Sequence, residues 1–333
     1  MALSRMFKIS DFCASKGLFH FRHPNNEFRH PKHVRKFRRD KTTNEDPKVN
    51  PESVATPFTN VALDSASLNP GKLLRPFLFT VAFSGATFVG AAIWEYENMR
   101  SHAIHMIKKP IKFFKNKVDQ GIEKSAKKVF VPICALNVLV FLAWRVPRLH
   151  PFMMKYFCSN PASEHVCIPM ILSTFSHYSG FHLLANMYVL HSFSTGAVHS
   201  LGKEQFLALY LTAGVVSSFT SYMYKIIMKQ PGLSLGASGA IMAILGYVCT
   251  QYPDTRLGII LLPIFTFSAG TAIKFIIGLD TAGVIMGWKF FDHAAHLGGA
   301  ACGISWALWG NQYIWQKREP VLHYWHEIRG SIK

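Results

Sequence analysis

The chain has 333 residues, of which 50% are hydrophobic and only 16% are charged, and its net charge is +18 at neutral pH. Ordinary soluble domains are about one quarter charged, so this composition argues against two soluble domains and favours a membrane protein with several spans. A basic excess is typical of proteins that meet nucleic acid, anionic lipid or an import receptor, and its position along the chain helps to decide between them.

The N-terminal region, 1–75, is polar, rich in proline and without helical periodicity, which predicts disorder. Its first part, 1–41, contains eleven Lys or Arg residues against three acidic residues. It has no apolar run, which a secretory signal would need. An Arg-rich, acid-poor segment is typical of a mitochondrial transit peptide, and a basic disordered tail is the simpler alternative.

The first apolar run covers 76–94 and holds nineteen residues without a charge, which predicts a transmembrane helix. A basic stretch, 95–128, follows with nine Lys or Arg residues and is predicted to be a loop. Its helical parts could lie on the membrane surface and bind anionic lipid such as cardiolipin, although a solvated charged loop is the commoner outcome.

Six further apolar runs bring the number of predicted spans to seven. These runs cover 129–144, 178–198, 205–228, 235–252, 257–279 and 290–310. All seven spans are predicted to be helices, because a bilayer provides no water for unpaired backbone groups. The predicted fold is therefore an all-α polytopic membrane protein that ends in a polar tail, 311–333.

The six cysteines give no sign of a metal site. They stand at positions 13, 134, 158, 167, 249 and 302. None forms a CxxC pair, so metal binding is not expected. Cys158 and Cys167 share one loop and could pair in an oxidising compartment, although two free thiols are the simpler interpretation.

The third span contains His182 and Asn186, whose i, i+4 spacing places both side chains on one helix face. Polar groups at membrane depth are costly and are functional candidates. Both side chains can donate hydrogen bonds, so together they could stabilise a developing negative charge. Taken alone, however, the pair favours the alternative of hydrogen bonding between helices.

The fifth span begins with the sequence Gly236-Ala-Ser-Gly239, which places Ser238 at a helix start. Unpaired N–H groups there carry partial positive charge and can bind an oxyanion. Gly236 and Gly239 lack side chains, so a substrate backbone could approach closely. This short motif is weak by itself, because small residues also serve helix packing.

The last span contains His296, and spacings of three and seven place Gly299 and Gly303 on the same helix face. Such glycines let another helix backbone come close to the imidazole. If that helix is the fifth span, His296 would reach Ser238 and could act as its general base. The alternative is a structural histidine in a tight helix crossing.

Together the three motifs, HxxxN, GxSG and AHxxGxxxG, resemble the rhomboid family of intramembrane serine proteases. The resemblance implies that Ser238 is the nucleophile and His296 its base, in a dyad that needs no third acid. It implies that His182, Asn186 and the Ser238 backbone N–H form the oxyanion hole. It also implies that Gly236, Gly299 and Gly303 hold the helices together. Although Asp292 and His293 precede His296, no family motif assigns them catalysis.

Longer stretches of 130–330, such as STFSHYSGFHLLANMYVL and MGWKFFDHAAHLGGA, resemble the mitochondrial, presenilin-associated branch of the family. The resemblance implies a six-helix catalytic core, 129–310, preceded by one extra transmembrane helix, a 1+6 arrangement. It further implies the mitochondrial inner membrane and cleavage of single-span proteins linked to mitophagy and apoptosis.

Two positions depart from the family pattern. Many rhomboids carry a Trp-Arg pair shortly before the third-span motif, whereas here Trp144-Arg145 lies much earlier. Many bacterial members have a tyrosine one turn after the serine, whereas here that residue is Met242, whose thioether can still pack on an imidazole edge. These departures concern the anchoring of a loop and the orientation of the histidine.

The sequence therefore predicts acyl transfer without metal or cofactor, acting on single-span membrane proteins within the bilayer and not on nucleic acid. Seven spans place the N-terminal tail and Ser238 on the same membrane side. Glycines such as Gly270, Gly278 and Gly283 are candidate hinges or packing positions.

One alternative to the protease function is a rhomboid-like protein that binds membrane clients without cutting them. Another is a proton-coupled transporter, which would need an inverted repeat that the sequence does not show.

Overall fold

The computed structural model describes residues 68–107, 115–259 and 262–331. The predicted transit segment and most of the predicted disordered region, 1–75, lie outside these residues. The described part opens with a 3₁₀ turn, Pro70–Leu73, whose start is capped by the Asn69 side chain.

Two long helices follow, α1 (Leu74–Ile107) and α2 (Lys115–Ala143). Most of the stretch predicted as a basic loop, 95–128, is therefore helical, and 108–114 lies outside the described residues. Hydropathy marks where the apolar stretch ends, but a helix continues as long as its polar side chains find partners. In α1 the Asn98 amide donates to Glu204 over 2.6 Å, and in α2 Glu123 pairs with Lys127 at i, i+4.

Two short helices, α3 (His150–Tyr156) and α4 (Cys167–Leu172), lead to the long element α5 (Gly180–Ile227). Element α5 consists of two helices, 180–201 and 203–227, which meet at Gly202 with φ 78° and ψ 162°. A positive φ suits glycine, which has no Cβ. The second helix packs beside α4, where Ser218 Oγ donates to the Met170 carbonyl over 3.4 Å. These two helices cover the third and fourth predicted spans.

The sixth predicted span, 257–279, is wrong in its first half. Strands β1 (Arg256–Ile259) and β2 (Leu262–Ser268) form an antiparallel hairpin that pairs Arg256 with Ser268. Helix α7 (Ala269–Met286) begins only after Ser268, whose side chain accepts from the Thr271 N–H. Pro263 interrupts the apolar run and the residues around it favour strand, so hydropathy alone could not separate the hairpin from the helix. The all-α prediction therefore needs this correction.

Three more helices complete the described fold: α6 (Ser238–Gln251), α8 (His293–Ser305) and α9 (Glu319–Ser331). Helix α8 continues as a π-helical segment, Trp306–Trp315. The predicted polar tail, 311–333, is thus largely helical. It packs against α1, where Arg318 pairs with Glu95 at 2.5 Å.

Helix α6 occupies the centre of the described helices, with its side chains buried against α5, α7 and α8. Four described helical segments are long and apolar enough to cross a membrane by length and composition, namely Pro70–Ser101, Gly121–Ala143, Gly180–Ile227 and Ala269–Met286. Helix α6 is a shorter apolar helix. Large apolar side chains are exposed on α1, α2 and α7, for example Leu139 and Phe275. Such surfaces suit contact with lipid. Cys158 and Cys167 are free thiols.

Candidate active site

Ser238 and His296 lie at hydrogen-bond distance. Ser238 is the first residue of α6, and its Oγ lies 2.9 Å from Nε2 of His296 on α8. Both side chains are half-buried, whereas the neighbouring Ala237 is fully buried. The hydroxyl is therefore held at a helix start, next to a base and at the edge of the protein interior.

Glycines allow α6 and α8 to approach this closely. A Cβ added at Gly299 would lie 1.9 Å from the Gly239 carbonyl oxygen, and one added at Gly303 would lie 1.9 Å from the Ala243 carbonyl oxygen. Gly239 itself faces Ser217 of α5, whose Oγ would be 2.3 Å from an added Cβ. The backbones of the two helices are thus in direct contact, which sets the spacing between Ser238 and His296.

The segment before Ser238 is fixed against the loop that precedes α5. Gly236 has φ +131°, and an added Cβ would lie 2.8 Å from Cε1 of His182. The Gly236 N–H donates to the Ser173 carbonyl over 2.9 Å, and Ser159 and Ser234 exchange two backbone hydrogen bonds. Both the unusual φ and the lack of space require glycine at position 236.

Asn186 is buried, and both hydrogens of its amide nitrogen have partners. Its Nδ2 lies 2.9 Å from the His182 carbonyl oxygen and 3.1 Å from Nε2 of His177. The same His177 nitrogen faces the Ala237 N–H at 3.4 Å. Since the primary amide has two hydrogens, Asn186 must give up one of these bonds before it can donate to a substrate. His182, by contrast, lines the cavity beside Ser238.

Asp280 on α7 is the residue that the motifs did not reveal. Its Oδ1 lies 3.1 Å from Nδ1 of His296 and 2.6 Å from Nδ1 of His293, and the residue is only 4% exposed. An acid within a mostly apolar helix is a functional signal in its own right. That signal was present in the sequence, but the family pattern of a dyad gave no reason to follow it.

Asp280, His293 and His296 together offer three possible metal ligands within 4.8 Å of one another. Zinc bonds to such atoms are about 2.0–2.2 Å long, so two ligands of one tetrahedral ion lie about 3.4 Å apart. The 2.6 Å between Asp280 and His293 is instead a hydrogen-bond distance. The cluster is thus arranged for hydrogen bonding.

Asp292 joins the start of α8 to the end of α5 and to the segment before Ser238. Its Oδ1 accepts from the Ala295 N–H, and its Oδ2 accepts from Ser221 and Ser234 and lies 3.3 Å from Nζ of Lys225. Because the carboxylate pairs with the Lys225 ammonium group and accepts from two hydroxyls, it stabilises the end of α8 that carries His296.

The structure brings Trp144 and Arg145 close to the third-span motif, although they are distant from it in sequence. The Trp144 indole donates to Ser176 Oγ over 2.9 Å, and the Arg145 guanidinium donates to the Tyr178 carbonyl. This pair thus anchors the loop before α5.

An aromatic ring also packs near His296. It belongs to Phe291, and its centroid lies 5.9 Å from that of the imidazole.

A cavity of about 580 Å³ opens beside Ser238, His182 and His296. One wall is the segment 229–235, and the other is the end of α7 with the segment that follows it. Of the candidate hinges, Gly283 lines this cavity and faces the His293 ring, Gly270 packs on Pro253, and Gly278 has open space around it. The cavity thus leads to both the Ser238 hydroxyl and the His296 imidazole.

The described helices and the paired Ser238 and His296 define a polytopic helical protein with a serine–histidine site. A family model described as "Rhomboid domain" matches residues 165–312. Presenilin-associated rhomboid-like protein, mitochondrial, of Rattus norvegicus is 51% identical over 276 residues, which cover 77% of this chain and 72% of that protein. The chain therefore belongs to the rhomboid family.

Two further relatives show how far the similarity extends. Presenilin-associated rhomboid-like protein A, mitochondrial, of Danio rerio is 45% identical over 293 residues, covering 78% of this chain and 76% of that protein. Rhomboid protein 1, mitochondrial, of Saccharomyces cerevisiae is 32% identical over 200 residues, covering 59% of this chain and 57% of that protein. The relatives are thus mitochondrial rhomboids, and the predicted resemblance to the presenilin-associated branch is confirmed.

Proposed function

We propose that this chain is an intramembrane serine endopeptidase in which Ser238 is the nucleophile and His296 the general base. The observation that carries the proposal is the 2.9 Å hydrogen bond between Ser238 Oγ and His296 Nε2, placed between apolar helices. A nucleophile and a base at this distance are what acyl transfer requires. Family membership supports the same activity without establishing it, because the family includes inactive members.

The proposed reaction begins when Ser238 Oγ attacks the carbonyl carbon of an unwound substrate segment and Nε2 of His296 accepts the hydroxyl proton. The imidazolium then protonates the leaving amine, which leaves an acyl-enzyme. Water attacks the ester with His296 again as the base, and Ser238 recovers its proton. The reaction needs neither metal nor cofactor.

The oxyanion is proposed to bind to the Ser238 backbone N–H at the start of α6 and to His182. Asn186 joins them only if its amide leaves the His177 nitrogen or the His182 carbonyl. This requirement makes Asn186 a later contributor, recruited when a tetrahedral intermediate forms. Its contribution should therefore appear in kcat rather than in substrate binding.

We propose the 1+6 arrangement, with α1 as the extra helix and with the two halves of α5 counted as separate spans. Helices α2, α6, α7 and α8 supply the other four. The start of α1 packs near the end of α5, where Phe77 contacts Phe219 with centroids 5.8 Å apart. This contact supports the expectation that the N-terminal side of α1 and Ser238 share one membrane side.

The mitochondrial inner membrane is the proposed location, and single-span membrane proteins are the proposed substrates. Cleavage of such proteins would act in mitochondrial quality control and apoptosis regulation. Protease protection, in intact mitoplasts, of a tag inserted between the predicted transit segment, 1–41, and α1 tests the orientation. We expect a tag that stays protected in the matrix, and digestion from outside would reverse the assignment.

Cleavage of a purified single-span substrate by the reconstituted full chain tests the activity. Ser238→Ala and His296→Ala should each lower kcat by at least ~10³-fold, because both act in the same proton transfer. Cys249→Ser, a change of similar size on the buried side of α6, serves as the control and should retain cleavage. Undiminished cleavage by Ser238→Ala would contradict the assignment of the nucleophile.

The second candidate is a rhomboid-like protein that binds membrane clients without cutting them. The observation that favours it is the commitment of both Asn186 amide hydrogens inside the protein. Capture of an intact single-span client by the native chain, with no product after long incubation, would support this candidate.

A further inference from the structure

We propose that Asp280 is a positioning residue that turns the Ser238–His296 pair into a serine–histidine–aspartate array, with His293 as a second hydrogen-bond donor to the acid. The proposal rests on the proposed peptidase function. It goes beyond the dyad that the family resemblance implies, because that dyad contains no acid.

The geometry assigns the tautomer of His296. Nε2 can accept the Ser238 proton only when the ring hydrogen sits on Nδ1. Nδ1 lies 3.1 Å from Oδ1 of Asp280, and an ionised carboxylate can only accept. Asp280 therefore selects the tautomer with its free lone pair towards Ser238. The imidazolium that forms during acyl transfer is stabilised by the same carboxylate, which stays ionised throughout.

His293 holds the carboxylate in place. Its Nδ1 lies 2.6 Å from the same Oδ1 of Asp280, so the acid accepts from two imidazoles at once. The other ring nitrogen of His293, Nε2, is buried without a hydrogen-bond partner. The rings of Trp288 and Phe290 pack around this imidazole with centroids 5.9 and 5.1 Å away. A histidine so enclosed has one polar contact to make, and that contact is with Asp280.

The contact between α7 and α8 is shaped to permit these bonds. A Cβ added at Gly283, almost one turn after Asp280, would lie 2.5 Å from the His293 ring. A larger residue at this position would push the two helices apart. An acid in an apolar helix is costly, and here the cost is offset by two hydrogen bonds to residues of the candidate site.

The charged and titratable groups around His296 come from four elements. Asp280 faces it from α7, His182 from α5, His293 from its own helix and the Ser238 hydroxyl from α6. Other charged groups that line the same cavity are Lys225, Lys229, Lys289 and Asp292. Among these, only Asp280 is hydrogen-bonded to Nδ1 of His296 in the described part of the chain.

The first test is kinetic and uses the full chain in proteoliposomes with a single-span substrate. Asp280→Asn should lower kcat by ~10²–10⁴-fold with little change in KM, because the amide can donate to Nδ1 and hold the wrong tautomer. Loss of the carboxylate removes the charge that favours the imidazolium. The acid limb of kcat/KM should therefore move to lower pH. Asp280→Glu, which keeps the carboxylate, should recover part of kcat.

Asp254→Asn makes the same chemical change at an exposed turn and is the matched control. It should leave both kcat and the acid limb unchanged. If Asp280→Asn behaves like this control while Ser238→Ala is inactive, the positioning role is wrong and the peptidase function stands. If the native chain and Ser238→Ala give equal cleavage, the peptidase function itself fails.

The second test needs no variant that might fail to fold. Nitrogen-15 NMR of histidine-labelled native protein reports which ring nitrogen of His296 carries the hydrogen. We expect protonated Nδ1 and unprotonated Nε2 at neutral pH. A His296 protonated on Nε2 alone would overturn the proposal, whatever the kinetics show.

Discussion

Helix α8 contacts α6 and α7 in different ways. The difference shows how each residue of the candidate site is held in place. Against α6 the contact is backbone to backbone, since an added Cβ at Gly299 would overlap the Gly239 carbonyl. Against α7 it runs through side chains, from Asp280 to His293 and His296. Helix α6 is buried from Gly239 to Cys249, whereas most residues of α7 are at least partly exposed. The serine and its base thus sit in a rigid contact, while the acid arrives from a more exposed helix.

The largest expected effect comes from breaking the α6–α8 contact. Gly299→Ala adds a methyl group 1.9 Å from a carbonyl oxygen, so the helices must separate. Overpacking of this kind lowers the free energy of unfolding by about 3 kcal/mol. Separation of the helices would also lengthen the hydrogen bond between Ser238 and His296, which should abolish cleavage. Thermal unfolding and substrate cleavage measure both effects.

Gly278→Ala is the control for this prediction, because a Cβ at Gly278 of α7 meets no other atom within 4 Å. The control should keep the native melting temperature and cleavage rate. A Gly299→Ala variant that melts and cleaves as the control does would show that the α6–α8 contact is looser than described.

The next effect comes from Asp292, which fixes the end of α8 common to both contacts. Asp292→Asn removes the carboxylate that pairs with Lys225 and accepts from Ser221 and Ser234, so the free energy of unfolding should fall by about 2 kcal/mol at neutral pH. Melting temperatures of the native chain and the variant measure this loss. An unchanged melting temperature would contradict the role of Asp292.

A smaller effect is expected from loosening the α7–α8 contact alone. Gly283→Ala places a methyl group 2.5 Å from the His293 ring and should shift α7 away from α8. Because the α6–α8 contact is untouched, stability should fall by only about 1–2 kcal/mol. Cleavage should fall ~10–100-fold through the weakened bond from Asp280 to His296. If Gly283→Ala and Gly299→Ala lowered stability and cleavage equally, the α6–α8 and α7–α8 contacts would not differ as described.

The smallest effect is expected where α1 meets the segment just before α9. Arg318→Ala removes the 2.5 Å pair with Glu95, which is partly exposed, so the loss should be about 1 kcal/mol or less. The cleavage rate should not change, because the pair touches no part of the candidate site. A matched change at the fully exposed Lys127–Glu123 pair should not alter the melting temperature.

Spacing along a single helix was enough to predict which of the candidate residues share a helix face. The i, i+4 pair His182 and Asn186 and the glycines after His296 share faces that helix geometry dictates. The motifs could not reveal that Trp144 and Arg145 return to the loop before α5, since that contact joins residues 32 or more positions apart. Nor could they separate the hairpin of 256–268 from α7, because hydropathy does not distinguish an apolar strand from an apolar helix.

The sequence by itself determined the rhomboid family, the apolar segments and the polar residues that stand among them. Only the tertiary structure decided that Ser238 meets His296, that Asp280 lies behind His296, and that both Asn186 amide hydrogens already have partners. The physical reason is that periodicity sets the face of a helix on which a side chain lies. The distance between two faces depends on how closely the helices pack, and here that distance is set by Gly283, Gly299 and Gly303.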